Sequence, residues 1–181
     1  MTASRVDAVS TSAVHIRAAV PQDMPSVRAC IQEYTTWLDE DISFQNYTEE
    51  FDNLPGKYAP PTGGIFVAVD ASSDDVLGCI ALRALDLQAG YLPDSAGRRY
   101  CELKRLYVYP KARGRQAARL LIHAAVQSAA EMGYDEVLLD TLPKMRAAVG
   151  LYESEGFRET RPYYYNPLEG VLFFLKRLGK S

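Results

Sequence analysis

The residues with the most evident chemical use run from Glu102 to Ala118. A strand-type segment, Tyr100–Tyr109, stops at Pro110. A turn with Arg113, Gly114, Arg115 and Gln116 follows, and an alanine-rich helix begins with Ala117 and Ala118 close to its start. The first amides of a helix have no intrahelical acceptor, and the aligned peptide dipoles place about half a positive charge at that end. Arg113 and Arg115 add two full charges, while the small Gly114, Ala117 and Ala118 let a ligand approach the backbone. Such a turn suits an anion of the pyrophosphate type. The chain has no GxxxxGK[ST] loop, no GxGxxG after its first strand, no HExxH and no GxSxG, so the common nucleotide, zinc-protease and serine-hydrolase motifs are excluded.

The elements that must hold this turn read as β-α-α-β-β-β-α-β-α-β-β. Val14–Ala18 alternates as a strand, and Val27, Cys30, Ile31, Tyr34 and Leu38 recur at helical spacing up to Leu38. Asp39, Glu40 and Asp41 break that helix, and a second is expected over Asn46–Leu54. Ile65–Asp70 and Val76–Leu85 form a hairpin about the turn Ser72–Asp75. Asp86–Arg99 is a polar insertion. Helices are expected over Ala112–Gly133 and Pro143–Glu155, separated by a strand, Glu136–Thr141. Phe157–Tyr163 and Val171–Lys176 read as the last strands. A meander combined with βα units implies an α/β (α+β) fold with a mixed sheet and helices on both faces.

Composition sets the outer limits. The chain has 181 residues, 48% of them apolar and 24% charged, with a net charge of −3. That is one ordinary globular domain, expected over residues 13–178, with residues 1–12 as a disordered lead-in. An acidic balance argues against a nucleic-acid partner, and no apolar run approaches the ~18 residues of a membrane span. The N-terminal segment lacks the apolar core of a secretory signal, and a cytoplasmic protein is expected, a monomer or homodimer. Cys30, Cys79 and Cys101 are odd in number and form no CxxC, which fits buried, reduced thiols and no metal site.

Two motifs make the chain resemble the GNAT superfamily of acyl-CoA-dependent N-acyltransferases. In that family a strand carrying Leu-x-Val-x-Pro leads into [Gln/Arg]-x-x-Gly-x-[Gly/Ala] at a helix start. Here Leu106, Tyr107, Val108, Tyr109 and Pro110 lead into Arg113, Gly114, Arg115, Gln116, Ala117 and Ala118. The second motif, Ala-x-x-Leu-Tyr-x-x-x-Gly-Phe, is matched by Ala148, Leu151, Tyr152, Gly156 and Phe157. The opening Ile16, Arg17, Ala18 and Ala19 followed by Asp23 also looks like the family start. The chain departs from the pattern at Gln116, where the family has its central glycine, and at Met145, where many relatives carry asparagine.

The resemblance implies a mostly antiparallel, splayed sheet and acetyl-CoA as co-substrate. Backbone groups of Leu106, Tyr107 and Val108 would pair with the pantetheine arm, and amides from Arg113 to Ala118 would hold the pyrophosphate. Tyr152 matches the tyrosine that protonates the leaving thiolate. Transfer would be to a primary amine, by direct attack in a ternary complex, and a small-molecule amine is favoured. The alternatives are a protein N-terminal or lysine acetyltransferase and a non-catalytic acyl-CoA sensor.

An alkyl ammonium with a pKa of about 10.4 gives only about one neutral amine in 2,500 at pH 7, so a proton acceptor is needed. Glu102 is the candidate: a period of two places it on the strand face of Leu106 and Val108, and some relatives carry a glutamate base at the matching place. Its other reading is an ion pair with Lys104 or Arg105. The pairs Arg98-Arg99 and Lys104-Arg105 either grip a substrate carboxylate or belong to the surface. Tyr163, Tyr164 and Tyr165 are edge strand and turn, or the wall of an acceptor pocket. His15 and His123 read as structural.

Overall fold

The computed structural model describes residues 13–87, 91 and 97–179. The expected lead-in, residues 1–12, and much of the polar insertion lie outside the described residues. Seven strands, β1 Val14–Ala18, β2 Gly64–Asp70, β3 Val76–Leu85, β4 Tyr100–Val108, β5 Glu136–Thr141, β6 Arg158–Thr160 and β7 Leu172–Arg177, form one sheet in the order β1-β2-β3-β4-β5-β7-β6. Every pairing is antiparallel except β4 with β5. Four α-helices cover it: α1 Met24–Leu38, α2 Tyr47–Asp52, α3 Ala117–Glu131 and α4 Arg146–Ser154.

The apolar runs follow from burial on both faces. Phe66 and Ala68 of β2 meet Leu121, Ile122 and Ala125 of α3, while Val67 and Val69, pointing the other way, meet Val27, Cys30 and Ile31 of α1. A strand covered on both sides has no polar alternation to show. Each such Val, Leu or Ile contributes about 1.5–3 kcal/mol of burial, which fixes the sheet register that the site depends on.

Two features of β4 shape the site. The strand pairs with β5 only from Tyr100 to Glu102, opposite Glu136 to Leu138. Beyond that point the two strands part, although β4 runs on to Val108 and β5 to Thr141. The second feature is a bulge. Cys79 lies opposite Tyr107 and Ala81 opposite Lys104, so two steps on β3 face three on β4. Arg105 takes up the extra residue in a left-handed conformation, φ 59°. A bulge sharpens the local bend and shifts the side-chain alternation by one.

That shift corrects the expected face-sharing of Glu102, Leu106 and Val108. Leu106 and Val108 pack with the α3 core, whereas Tyr100, the same-face neighbour of Glu102, packs with Leu138, Tyr163 and Phe173 on the opposite side. The helix expected from Ala112 begins instead at Ala117. Pro110–Ala112 is a 3-10 turn, and Gly114 (φ 79°) and Gln116 (φ 59°) adopt left-handed backbone that no α-helix accommodates. The last helix starts at Arg146 rather than Pro143, and its N-cap Met145 is non-helical. The penultimate strand ends at Thr160, because Pro162 cannot donate to a ladder and the chain turns there. The other element ends differ by one or two residues, the ordinary spread at frayed ends.

Candidate functional site

Where β4 and β5 separate, a cavity of about 470 Å³ passes through the sheet. Tyr34, Trp37 and Leu38 of α1, with Ile42 and Gln45 behind them, line it on one face. Ala118 of α3 and Ala148, Leu151 and Tyr152 of α4 line it on the other. Leu103 to Val108 of β4 and Asp140, Thr141 and Leu142 of β5 form its flanks. The volume lies within the range of small-molecule sites, about 300–1,000 Å³.

Of the expected cofactor residues, Leu106, Tyr107, Val108, Arg113 and Ala118 line the cavity. Gly114, Arg115, Gln116 and Ala117 complete the turn at its mouth, where Ala117 is buried and Gly114 and Gln116 are exposed. Amides of the first turn of α3 lie beyond the N-cap Gln116, whose side chain makes no capping bond. Arg113 stacks over Trp37, its guanidinium 5.9 Å from the ring centroid, and Trp37 is 50% exposed. Arg115 is pulled sideways to Asp70 at the end of β2, Nη2 to Oδ2 3.2 Å. The turn therefore presents one arginine at the cavity wall and holds the other on the sheet.

Tyr152 is 7% exposed, lines the cavity, and rests against Phe157 and Phe174 with centroids 5.9 and 6.3 Å away. Burial pushes its phenol pKa well up, with the charges of nearby Tyr34 and Asp140 acting the same way. It stays a neutral O–H donor at any ordinary pH.

Glu102 is in a different environment from the one expected. It is 1% exposed and does not line the cavity. Arg83 Nε donates to its Oε2 at 2.9 Å, Tyr163 Oη donates to its Oε1 at 2.7 Å, and Lys104 Nζ lies 3.6 Å from Oε1. Its oxygens are engaged by Arg83 and Tyr163, the environment of the ion-pair reading rather than of a base open to the cavity. The three tyrosines also separate. Tyr163 is buried on Glu102, Tyr164 donates to Asp140 Oδ2 at 3.0 Å, and Tyr165 is 77% exposed; none lines the cavity. They lie in a turn, where no strand period aligns their side chains.

Sequence reasoning missed Asp140, Tyr34, Trp37 and Gln45 as wall residues. Asp140 is a charge that directly follows the apolar run Val137-Leu138-Leu139 of a strand, and that contrast was the available signal. Lys104 Nζ donates to Asp140 Oδ1 at 2.8 Å, and Asn166 Nδ2 donates to Asp140 Oδ2 at 3.4 Å. Burial opposes ionisation of Asp140, but the ammonium of Lys104 and the bonds from Lys104 and Tyr164 outweigh it and hold the carboxyl below its usual range. Burial would lower Lys104 likewise, yet Asp140 and Glu102 raise it.

Lys104 and Arg105 are buried, not surface residues, and both line the cavity; Arg98 is tied to Glu136 at 2.9 Å, and Arg99 stacks on Tyr134. Arg105 Nε donates to Glu50 Oε1 at 2.8 Å. Arg105 Nη2 and Gln45 Oε1, both buried, have no hydrogen-bond partner among the described residues. A buried polar atom left so costs about 1–3 kcal/mol.

All three cysteines are buried and none lines the cavity. His123 engages Glu155 at the junction of α3 and α4, away from the cavity, and His15 sits on β1 opposite Val69. Among the described residues no group of three or more His, Cys, Asp or Glu side chains is arranged to hold a metal, and no helix is long and apolar enough to cross a membrane.

Against known proteins, residues 27–157 match the profile of the acetyltransferase (GNAT) family. An uncharacterised N-acetyltransferase of Schizosaccharomyces pombe is 37% identical over 172 residues, covering 95% of this chain and 96% of that protein. In structure, a GNAT-family acetyltransferase of Staphylococcus aureus superposes with a TM-score of 0.70 at 19% identity, over 92% of this chain and 100% of its own. Arabidopsis thaliana NAA60 in complex with acetyl-CoA superposes with a TM-score of 0.66 at 18% identity, over 91% and 98%.

Proposed function

The chain belongs to the acetyltransferase (GNAT) family and is an N-acetyltransferase, and on that premise we propose that it moves an acetyl group from acetyl-CoA to the primary amine of a small molecule. The observation that carries this reading is the cavity that crosses the sheet at the parting of β4 and β5. It admits two ligands from opposite faces and lets them meet at the gap.

The donor comes from the α3/α4 face. Its pantetheine amides pair with the β4 backbone at Leu106, Tyr107 and Val108, as an added strand would. Its pyrophosphate rests on the first amides of α3 beside Arg113. The amine comes from the α1 face, and the small volume favours a small molecule over a folded protein surface. Its nitrogen lone pair forms the C–N bond, the tetrahedral centre collapses, and the C–S bond electrons leave on sulfur. Tyr152, kept neutral by burial, donates to that sulfur. The amine's proton goes to water in the cavity; Asp140, held ionised beside it, is too weak a base to hold that proton but attracts the ammonium. Direct attack is favoured over a covalent acyl-enzyme, because burial pushes the thiol of Cys101 up and no cysteine lines the cavity.

The test combines acetyl-CoA with a panel of small amines and with peptides bearing free N-termini or lysines, and follows CoA thiol release together with product mass. Acetylated small amines are the expected product. Turnover confined to peptides would establish a protein acceptor. A thermal shift on acetyl-CoA without turnover of any amine would establish a sensor. Saturating acetyl-CoA at 100 times Kd should add about 2.7 kcal/mol of stability. Arg113→Glu should remove most of that shift, and an unchanged shift would displace the phosphates from this turn.

A further inference from the structure

We infer that the acceptor is an amine that also carries a carboxylate, an amino acid, with the carboxylate held by Arg105 beside Gln45. This rests on the reading of the cavity as the site of a small-molecule N-acetyltransferase and narrows its acceptor.

The side chain of Arg105 is 3% exposed and lines the cavity on the α1 side of β4. Its position is set by the bulge and by two fixed contacts: the bond from Nε to Glu50, and the ring of Tyr47 with its centroid 5.3 Å from Cζ. A guanidinium offers five donors in a rigid fork, and here Nη2 is left with no partner. Gln45, across the same cavity, has an orphaned acceptor in Oε1. Two residues of one cavity wall thus each carry a buried polar atom without a partner, a cationic donor and a neutral acceptor, and the ligand that would satisfy both has an anionic oxygen and an N–H. An amino acid has both.

The charge balance points to the same class. Arg83, Lys104 and Arg105 are matched by Glu50, Glu102 and Asp140 in one linked set. That set is neutral by itself, and the cavity wall adds Lys144, paired with Glu40, and Arg146, so it holds no spare negative charge for a lone ammonium. A simple alkylammonium brings an uncompensated positive charge and leaves Nη2 unpaired. A zwitterion places its carboxylate at Arg105 and its ammonium toward Asp140, and adds no net charge. Sites built to bond a polar group discriminate strongly against analogues that lack it, because their own buried groups are then unpaired.

The experiment compares three matched forms of each acceptor: leucine, its amide and isoamylamine; phenylalanine, its amide and phenethylamine. The quantity read is kcat/KM, corrected for the fraction of free amine. Acids should exceed both partners by about tenfold or more. Arg105→Met should reduce that excess to less than about threefold, mainly through KM, and Arg105→Lys should restore part of it. The thermal shift with acetyl-CoA reports whether each variant is folded. If Arg105→Met does not fold, the wild-type comparison decides by itself. Acids no better than amines or amides would overturn the inference and leave the small-molecule reading standing. No acetylation of any form, with the acetyl-CoA shift intact, would overturn that reading and the inference with it.

Discussion

Replacing Gln116 by glycine should stabilise the protein or leave its stability unchanged, although it removes a whole side chain. Gln116 holds φ 59° and ψ 11° at the N-cap of α3, is exposed, and makes no capping bond. Left-handed backbone costs a side-chain-bearing residue about 1–2 kcal/mol, and glycine almost nothing. Glycine in turn loosens the unfolded chain by about 0.4–1 kcal/mol. The difference runs from about 0 to 1.5 kcal/mol in favour of Gln116→Gly. At about 2–4 °C per kcal/mol for a chain of this size, Tm should rise by zero to about 6 °C. Gln116→Ala is the control. It shortens the side chain but keeps Cβ, so it stays strained and within about 0.5 kcal/mol of the parent. The same pair tests the cofactor turn, since Cβ stands beside the first amides of α3. Melts with and without acetyl-CoA should show binding equal or tighter in Gln116→Gly and unchanged in Gln116→Ala. A fall of several degrees in Gln116→Gly, or a tenfold weaker acetyl-CoA affinity, would refute the reasoning and show that the glutamine makes a contact of its own with the ligand.

Three further outcomes are expected. Tyr152→Phe should lower kcat by about a hundredfold while the acetyl-CoA thermal shift stays within error, since only a donor needed by the leaving sulfur is lost; full turnover would reduce Tyr152 to packing. Glu102→Gln should act on stability rather than on the pH profile of kcat/KM, with a loss of about 1.5–3 kcal/mol as the charged bonds from Arg83 weaken while Arg83 keeps Glu50; a pH-dependent rate defect in a stable variant would return Glu102 to proton transfer. Asp140, lowered in the folded state, contributes stability above its unfolded pKa of about 3.9 that is lost as pH falls through its folded value. Lys104, raised, contributes below about 10.4 and loses it as pH rises through its folded value. Melting should therefore show a plateau between about pH 4 and 10, and Asp140→Asn should remove the acid shoulder and weaken the alkaline one, which Glu102 still supports; an unchanged curve would refute the pairing.

The element order was legible because each element announces itself locally: continuous apolar runs for strands buried on both faces, a 3.6-residue spacing for α1, and proline or glycine at the breaks. The two family motifs pointed to Leu106–Val108, Arg113 and Tyr152, which line one cavity in the half proposed for the donor. The acceptor half was harder to read. Its geometry depends on the bulge at Arg105, and an arginine in left-handed backbone carries no sequence signal as a glycine would. Counting by twos across it therefore put Glu102 on the wrong face. The run Tyr163-Tyr164-Tyr165 was misleading for a related reason, because a turn distributes consecutive side chains without a period. Asp140 and Gln45 come from segments distant in sequence, and only the packed sheet brings them to the wall that Lys104 and Arg105 share.

The passage through the sheet has a kinetic corollary. If thioester and amine enter from opposite faces of the sheet, as proposed above, neither occludes the other's exit, and there is no steric reason for a compulsory order of addition. Double-reciprocal plots should intersect for either varied substrate, and desulfo-CoA should compete with acetyl-CoA alone. Depletion of one substrate then leaves the other loaded on the enzyme, so flux tracks the two pools independently rather than being gated by whichever must bind first.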